Sequence, residues 1–146
     1  MTLLRRTLLT TACAFALAAP ALAQAQSIKI AGLYELSGAG ATSGTNFKDG
    51  VALAVKEINA AGGIMGKKIE HSISDTQSNP GVAKGLTTKA VDDNVLAIFG
   101  PVFSGSIMVS MAETKKAEIP NWTGGEAASI TAQGNPYVFR TAFGQA

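Results

Sequence analysis

Val95-Leu-Ala-Ile-Phe-Gly100-Pro-Val-Phe-Ser104-Gly-Ser106 is an apolar run that breaks at Gly100-Pro101 and restarts at a serine. Its β-branched and aromatic content, bounded by turn residues, predicts a buried strand over 95–100. Ser104 stands where a helix N-cap belongs. The residues from there to Ala117 would then open a helix whose unpaired N–H groups and positive dipole end face outward from the sheet. Such a point attracts anions, and in an open α/β sheet ligands collect outside the strand ends.

Working back from this stretch, Ser27-Ile-Lys-Ile-Ala-Gly-Leu-Tyr34 reads as a first strand, followed by a glycine-rich loop over Glu35–Gly44. Phe47, Val51, Ala54, Val55 and Ile58 then recur at helical spacing, which predicts a helix from Thr45 to Ala60, stopped by Gly62-Gly63. Lys67–Ser74 alternates, with Ile69, His71 and Ile73 on one face and polar residues on the other. This suits a strand near the sheet edge. Asn79-Pro80 caps and starts a helix to Asp93, with Val82, Leu86, Ala90 and Val91 inward. In the helix from Ser104, the inward set is Ile107, Met108, Met111 and Ala112, the methionines as core packing.

Beyond Ile119-Pro120, Asn121–Thr123 and Tyr137–Arg140 read as short strands, with a helical turn within Glu126–Thr131. Three βα units in succession require an open parallel sheet with helices on both faces and right-handed crossovers. A strand order of 2-1-3-4 would set the Glu35–Gly44 and Pro101–Ser104 loops on either side of one crevice.

The chain begins with Arg5-Arg6, an apolar run from Leu8 to Leu22, and the A-x-A site Ala21-Leu-Ala23. This is an export signal over residues 1–23; the apolar run is too short and too interrupted to span a membrane. Arg5-Arg6 suits an ordinary signal as well as a twin-arginine one, and the run before Cys13 is short for a lipoprotein. Removing the signal takes two of the 12 Lys+Arg, leaving 10 against 10 Asp+Glu, so the remaining chain is formally neutral. Neutrality without a basic cluster argues against nucleic acid as a partner. The one Cys leaves with the signal, and with it any disulfide or thiolate metal site.

Candidate chemistry is sparse. Gly38-Ala-Gly-Ala-Thr-Ser-Gly44 is one residue longer than the dinucleotide fingerprint, and no phosphate-binding G-x-x-x-x-G-K-[ST] occurs. Ser104 lacks the G-x-S-x-G frame. His71, the lone histidine, is placed away from the strand ends, as a core or edge residue. Asp92-Asp93 reads as a solvated pair rather than a metal-ligand set. No catalytic residue, metal site or cofactor is therefore expected. What remains is binding: Ser104 and the N–H groups after it can hold a carboxylate, Phe103 can supply an apolar wall, and Glu126, after Gly124-Gly125, lies where an ammonium or hydroxyl could be met. Each has an ordinary reading beside this one, a plain N-cap for Ser104 and a solvated first-turn acid for Glu126.

Ile28–Gly38, the run from Gly50 to Ile69 containing Ile58-Asn-Ala-Ala-Gly-Gly-Ile-Met-Gly-Lys-Lys-Ile69, and Asp75-Thr-Gln-Ser-Asn-Pro80 together resemble the periplasmic branched-chain amino-acid-binding proteins of ABC importers, across residues 27–146. The resemblance implies a type I periplasmic-binding fold of two lobes closing on a small ligand. Residues 24–146 would be an incomplete first lobe, with half the ligand contacts elsewhere. It also implies that Ser104, with Phe103 and Gly105, holds the ligand carboxylate. The positions that receive the ammonium fall near Gly124 and Glu126, and Ser43 matches a side-chain-contacting position. A glutamate at 126, where a threonine is common, departs from the pattern.

The implied function is an exported, periplasmic solute-binding protein without chemistry of its own. It would deliver an amino acid, amide or aromatic acid to permease subunits in the inner membrane. A sensing domain of a receptor is the rival within binding. An exported α/β hydrolase would need an acid–base pair at the strand ends that the sequence does not supply.

Overall fold

The computed structural model describes residues 26–142, so the signal segment expected at 1–23 lies outside the described residues. Five parallel strands form one sheet in the order β2-β1-β3-β4-β5. They are β1 (Ile28–Tyr34), β2 (Ile69–Asp75), β3 (Ala97–Phe99), β4 (Asn121–Thr123) and β5 (Val138–Arg140). The helices are α1 (Ala41–Ala60), α2 (Pro80–Asp92), α3 (Ser104–Ala117) and the single turn α4 (Ser129–Ala132). The expected order holds, with β5 added beyond β4, and β2 is the edge strand that its polar alternation predicts.

The register sorts side chains to two unlike faces. Ala31, Leu33, Val95 and Ile98 pack with Ala90 and Leu86 of α2, and Ile107, Met111, Ile130 and Val138 form a second cluster under α3 and α4. The two clusters lie on the side of the sheet covered by α2 and α3. On the other side α1 covers Ile28, Ile30 and Ile69 and leaves an open apolar groove. Phe99, Trp122 and Phe139 continue that face as a stacked ladder, with ring centroids 5.4 and 5.3 Å apart. Phe139 is 44% exposed, and Leu96, expected inside the buried strand, is 63% exposed on this same open side.

Several boundaries depart from the sequence reading, each for a physical reason. The helix expected from Thr45 starts at Ala41, preceded by a 3₁₀ turn at Gly38–Gly40, because Gly44 lets its first turn lie directly on the backbone of Glu35. In α2 the buried positions are Ala83, Thr87 and Ala90, whereas Val82, Leu86 and Val91 are only half-buried. Leu86 and Ala90 reach the sheet core, and α2 packs chiefly on α3, where small residues let two helices approach closely. In α3, Ala112 is exposed, while Ser106, Ser110 and Thr114 are buried beside Ile107 and Met111. Asn79 caps α2 as expected, its Oδ1 accepting from Gly81 and Val82 N–H at 2.8 and 3.2 Å.

The one histidine ties β2 to β1. The Tyr34 hydroxyl lies 3.0 Å from His71 Nε2, with the rings edge to face. Burial raises the phenol's pKa and lowers that of the imidazole below 6.5. Below pH 6.5 the unfolded chain therefore binds a proton that the folded chain resists, so stability falls as pH drops through the interval beneath that value. Urea midpoints measured between pH 7.5 and 5 should show this slope in the wild type, and His71→Gln should flatten it. An unchanged slope in the variant would assign it to other groups.

Candidate functional site

The C-terminal ends of β1, β3 and β4 converge where α1 leaves for one face of the sheet and α3 for the other. In an open α/β sheet that divergence marks the switch point, outside which ligands sit. Glu35 follows β1 directly and is 0% exposed. Its Oε2 accepts from Val102 N–H at 2.9 Å and its Oε1 from Phe103 N–H at 3.2 Å, which joins the loops after β1 and β3. Sequence reasoning passed over this residue as part of a glycine-rich loop. The only local signal was an acid set immediately after a wholly apolar strand end.

A second set of bonds fixes the same loop from the β2 side. Asp75 Oδ1 accepts from Leu36, Ser37 and Gln77 N–H at 2.9, 3.2 and 2.7 Å. The Ser37 hydroxyl is the main cause of a pKa below the usual carboxylate range, helped by the backbone N–H groups of Gln77, Leu36 and Ser37. Ser78 Oγ donates to Ser37 O at 2.6 Å and accepts from Gly40 N–H at 2.9 Å. Asp75→Ala should therefore loosen residues 36–40, read as faster amide exchange there at neutral pH. The wild type should show the same loosening only on acidification, as the carboxylate takes up its proton.

Ser104 is the first residue of α3 rather than its cap. Phe103 occupies the cap position and makes no side-chain cap bond. The first α3 bond runs from Ile107 N–H to Phe103 O, so the N–H groups of Ser104, Gly105 and Ser106 have no intrahelical partner. With the cap role left open, Ser104 Oγ accepts instead from Ala127 N–H at 3.3 Å, across to the loop after β4. The structure thus brings Ser104 together with Gly125, where an added Cβ would lie 3.3 Å from Ser104 Oγ. Gly124 packs against Val102, and the Phe103 ring against Gly40. Gly105 is exposed beside Pro80. Glu126 is exposed, and its carbonyl accepts from Arg140 Nη1 at 2.7 Å. Ser43 is exposed in the first turn of α1, across the crevice from α3. Ser106, buried under the helix start, was not among the sequence candidates.

The start of α3 therefore has N–H groups without intrahelical partners, one hydroxyl and an aromatic ring beside it, while the Gly124-Gly125 pair gives its side-chain space to Val102, Ile107 and Ile130. Such a set orients and holds a small anion. Among the described residues there is no cluster of three or more His, Cys, Asp or Glu to hold a metal ion, and no helix long and apolar enough to cross a membrane.

An open parallel α/β sheet with its switch point between β1 and β3 is an architecture shared by binding proteins and enzymes. The chain belongs to the periplasmic binding protein family, whose pattern it matches over residues 27–146. The family is one of binding proteins rather than enzymes. The chain is 36% identical over 118 residues to a Leu/Ile/Val-binding protein homolog 8 of Brucella abortus, covering 78% of this chain and 28% of that protein. It is 34% identical over 107 residues to the Leu/Ile/Val-binding protein BraC3 of Rhizobium johnstonii, covering 73% and 29%. Among solved structures, the branched-chain amino-acid transporter substrate-binding protein LivJ of Streptococcus pneumoniae, in complex with isoleucine, superposes with a TM-score of 0.78 at 38% identity, covering 82% of this chain and 34% of that one. The chain thus spans about a third or less of the length of the relatives it matches.

Proposed function

We propose that residues 24–146 form one lobe of an exported, two-lobed solute-binding protein of an ABC importer, carried to the periplasm by the signal at 1–23. It captures a small carboxylate-bearing ligand, namely a branched-chain or other amino acid, an amide or an aromatic acid, and delivers it to permease subunits in the inner membrane. The observation that carries this reading is the start of α3. Its unpaired N–H groups at Ser104, Gly105 and Ser106 lie beside Ser104 Oγ and the Gly124-Gly125 loop. The likeness to an isoleucine-bound transporter protein supports an amino acid among these ligands.

In this reading Phe103 and Ser43 shape the crevice and Glu126 receives a ligand ammonium. Calorimetry on the full-length protein should find a ligand among leucine, isoleucine, valine, their amides and benzoate. Ser104→Ala should weaken binding roughly tenfold, the cost of one hydrogen bond to a charged group. Glu126→Gln should weaken leucine binding and spare its des-amino analogue. Absence of binding by every carboxylate tested would sink the reading. Submicromolar binding to residues 24–146 alone would refute the two-lobed site.

A further inference from the structure

From the geometry at the head of the sheet we infer that Glu35 is a positioning residue for the anion site, a role distinct from contact with the ligand. The inference rests on the site reading above. Glu35 is buried at 0% exposure, and both carboxylate oxygens accept backbone N–H groups, those of Val102 and Phe103. These two amides immediately precede Ser104 and Gly105, whose N–H groups have no intrahelical partner. The carboxylate therefore fixes where the free amides begin and turns them toward the crevice. Without it, these two part-buried amides would lose their partners and the loop its fixed register.

The surroundings hold Glu35 as firmly as it holds the loop. An added Cβ on Gly40 would lie 2.8 Å from Glu35 Cβ and 2.9 Å from the Phe103 ring, so carboxylate stem, loop and aromatic wall are packed as one unit. The ion pairs of the described residues, Lys48–Asp49, Lys84–Glu113 and Lys89–Asp93, do not include Glu35. Its two carboxyl oxygens are met instead by the backbone N–H groups of Val102 and Phe103, just before the start of α3. A glutamine there keeps the shape but turns an NH₂ toward one of two N–H donors.

Glu35→Gln in the full-length protein tests this, with Leu86→Ala, on α2 in the cluster around Leu33 and Ile98, as a control for general destabilisation. Amide exchange is measured without ligand at Val102 and Phe103, and affinity by calorimetry with leucine and benzoate. Glu35→Gln should speed exchange at both amides and weaken binding roughly tenfold, as expected for loss of a charge-assisted bond. Leu86→Ala should lower the melting temperature without either effect. If Glu35→Gln behaves like Leu86→Ala at these amides, the inference is overturned. If the wild type binds neither probe, the ligand reading fails, and the exchange data still decide whether Glu35 holds the loop.

Discussion

Replacing Gly100 by alanine is expected to cost at least about 3 kcal/mol of stability, the sum of a strained backbone and an overlap that nothing nearby can relieve. Gly100 has φ +92°, where L side chains are strained, and an added Cβ would stand 1.9 Å from Leu33 O. The backbone cannot step aside. Gly100 N–H donates to Trp122 O at 2.7 Å, and Asn121 Nδ2 donates to Gly100 O at 2.6 Å, so β4 grips the residue while β1 crowds it. A domain with about 5–15 kcal/mol in hand would lose a large part of it, and its melting temperature should fall by roughly 10 °C or more. Gly50→Ala is the matched comparison. An added Cβ at Gly50, within α1, meets nothing within 4 Å, so alanine should stabilise by about 0.5–1 kcal/mol through helix propensity. Equal effects at the two sites would show that the β3 exit is not held as described.

The sequence made the βα alternation plain because each strand and helix there carries its own period. The 95–106 stretch yielded a strand, a break and a helix to Ala117, although the strand is only Ala97–Phe99 and Ser104 is the first helical residue rather than the cap. Elements governed by distant contacts were harder to read. Three glycines in Gly38–Gly44 look like a loop, yet Gly44 is a helical residue whose reason lies in the backbone of Glu35. Glu35 itself gave no pattern, since its partners stand 67 and 68 residues away. Periodicity chose Val82 and Val91 for the face of α2 because it weighs size. α2, packed chiefly on α3, instead buries Ala83 and Thr87, small residues that allow a neighbouring helix close approach. Of the positions carried by the family resemblance, Ser104 opens α3 and its hydroxyl reaches the loop after β4 that holds Gly124 and Glu126. The hydroxyl's partner, Ala127 N–H, could not have been read from a serine that looked like a cap.

Gly44→Ala is expected to be nearly as damaging as the change at Gly100, and to reach the ligand site as well. An added Cβ would lie 2.1, 2.6 and 2.7 Å from the O, C and N atoms of Glu35. All three are backbone atoms, so no rotamer change relieves the contact, and the first turn of α1 must lift away from the end of β1. That motion strains the Tyr34–Phe47 ring contact, 6.0 Å between centroids, and draws on Glu35, whose carboxylate holds Val102 and Phe103. The expected cost is about 3 kcal/mol, with weaker binding in the full-length protein. Gly125→Ala provides the contrast. Its added Cβ would meet Ile107 Cδ1 at 2.3 Å and Ile130 Cδ1 at 2.6 Å, both of them side-chain tips. Trimming one tip with Ile107→Val should recover roughly 1 kcal/mol of that loss, a coupling that a double-mutant cycle reads directly. No such trimming exists for Gly44→Ala, because its obstacle is the peptide backbone. Urea unfolding of the four variants would separate the two cases, and a Gly44→Ala stability within about 0.5 kcal/mol of wild type would refute the close docking of α1 on Glu35.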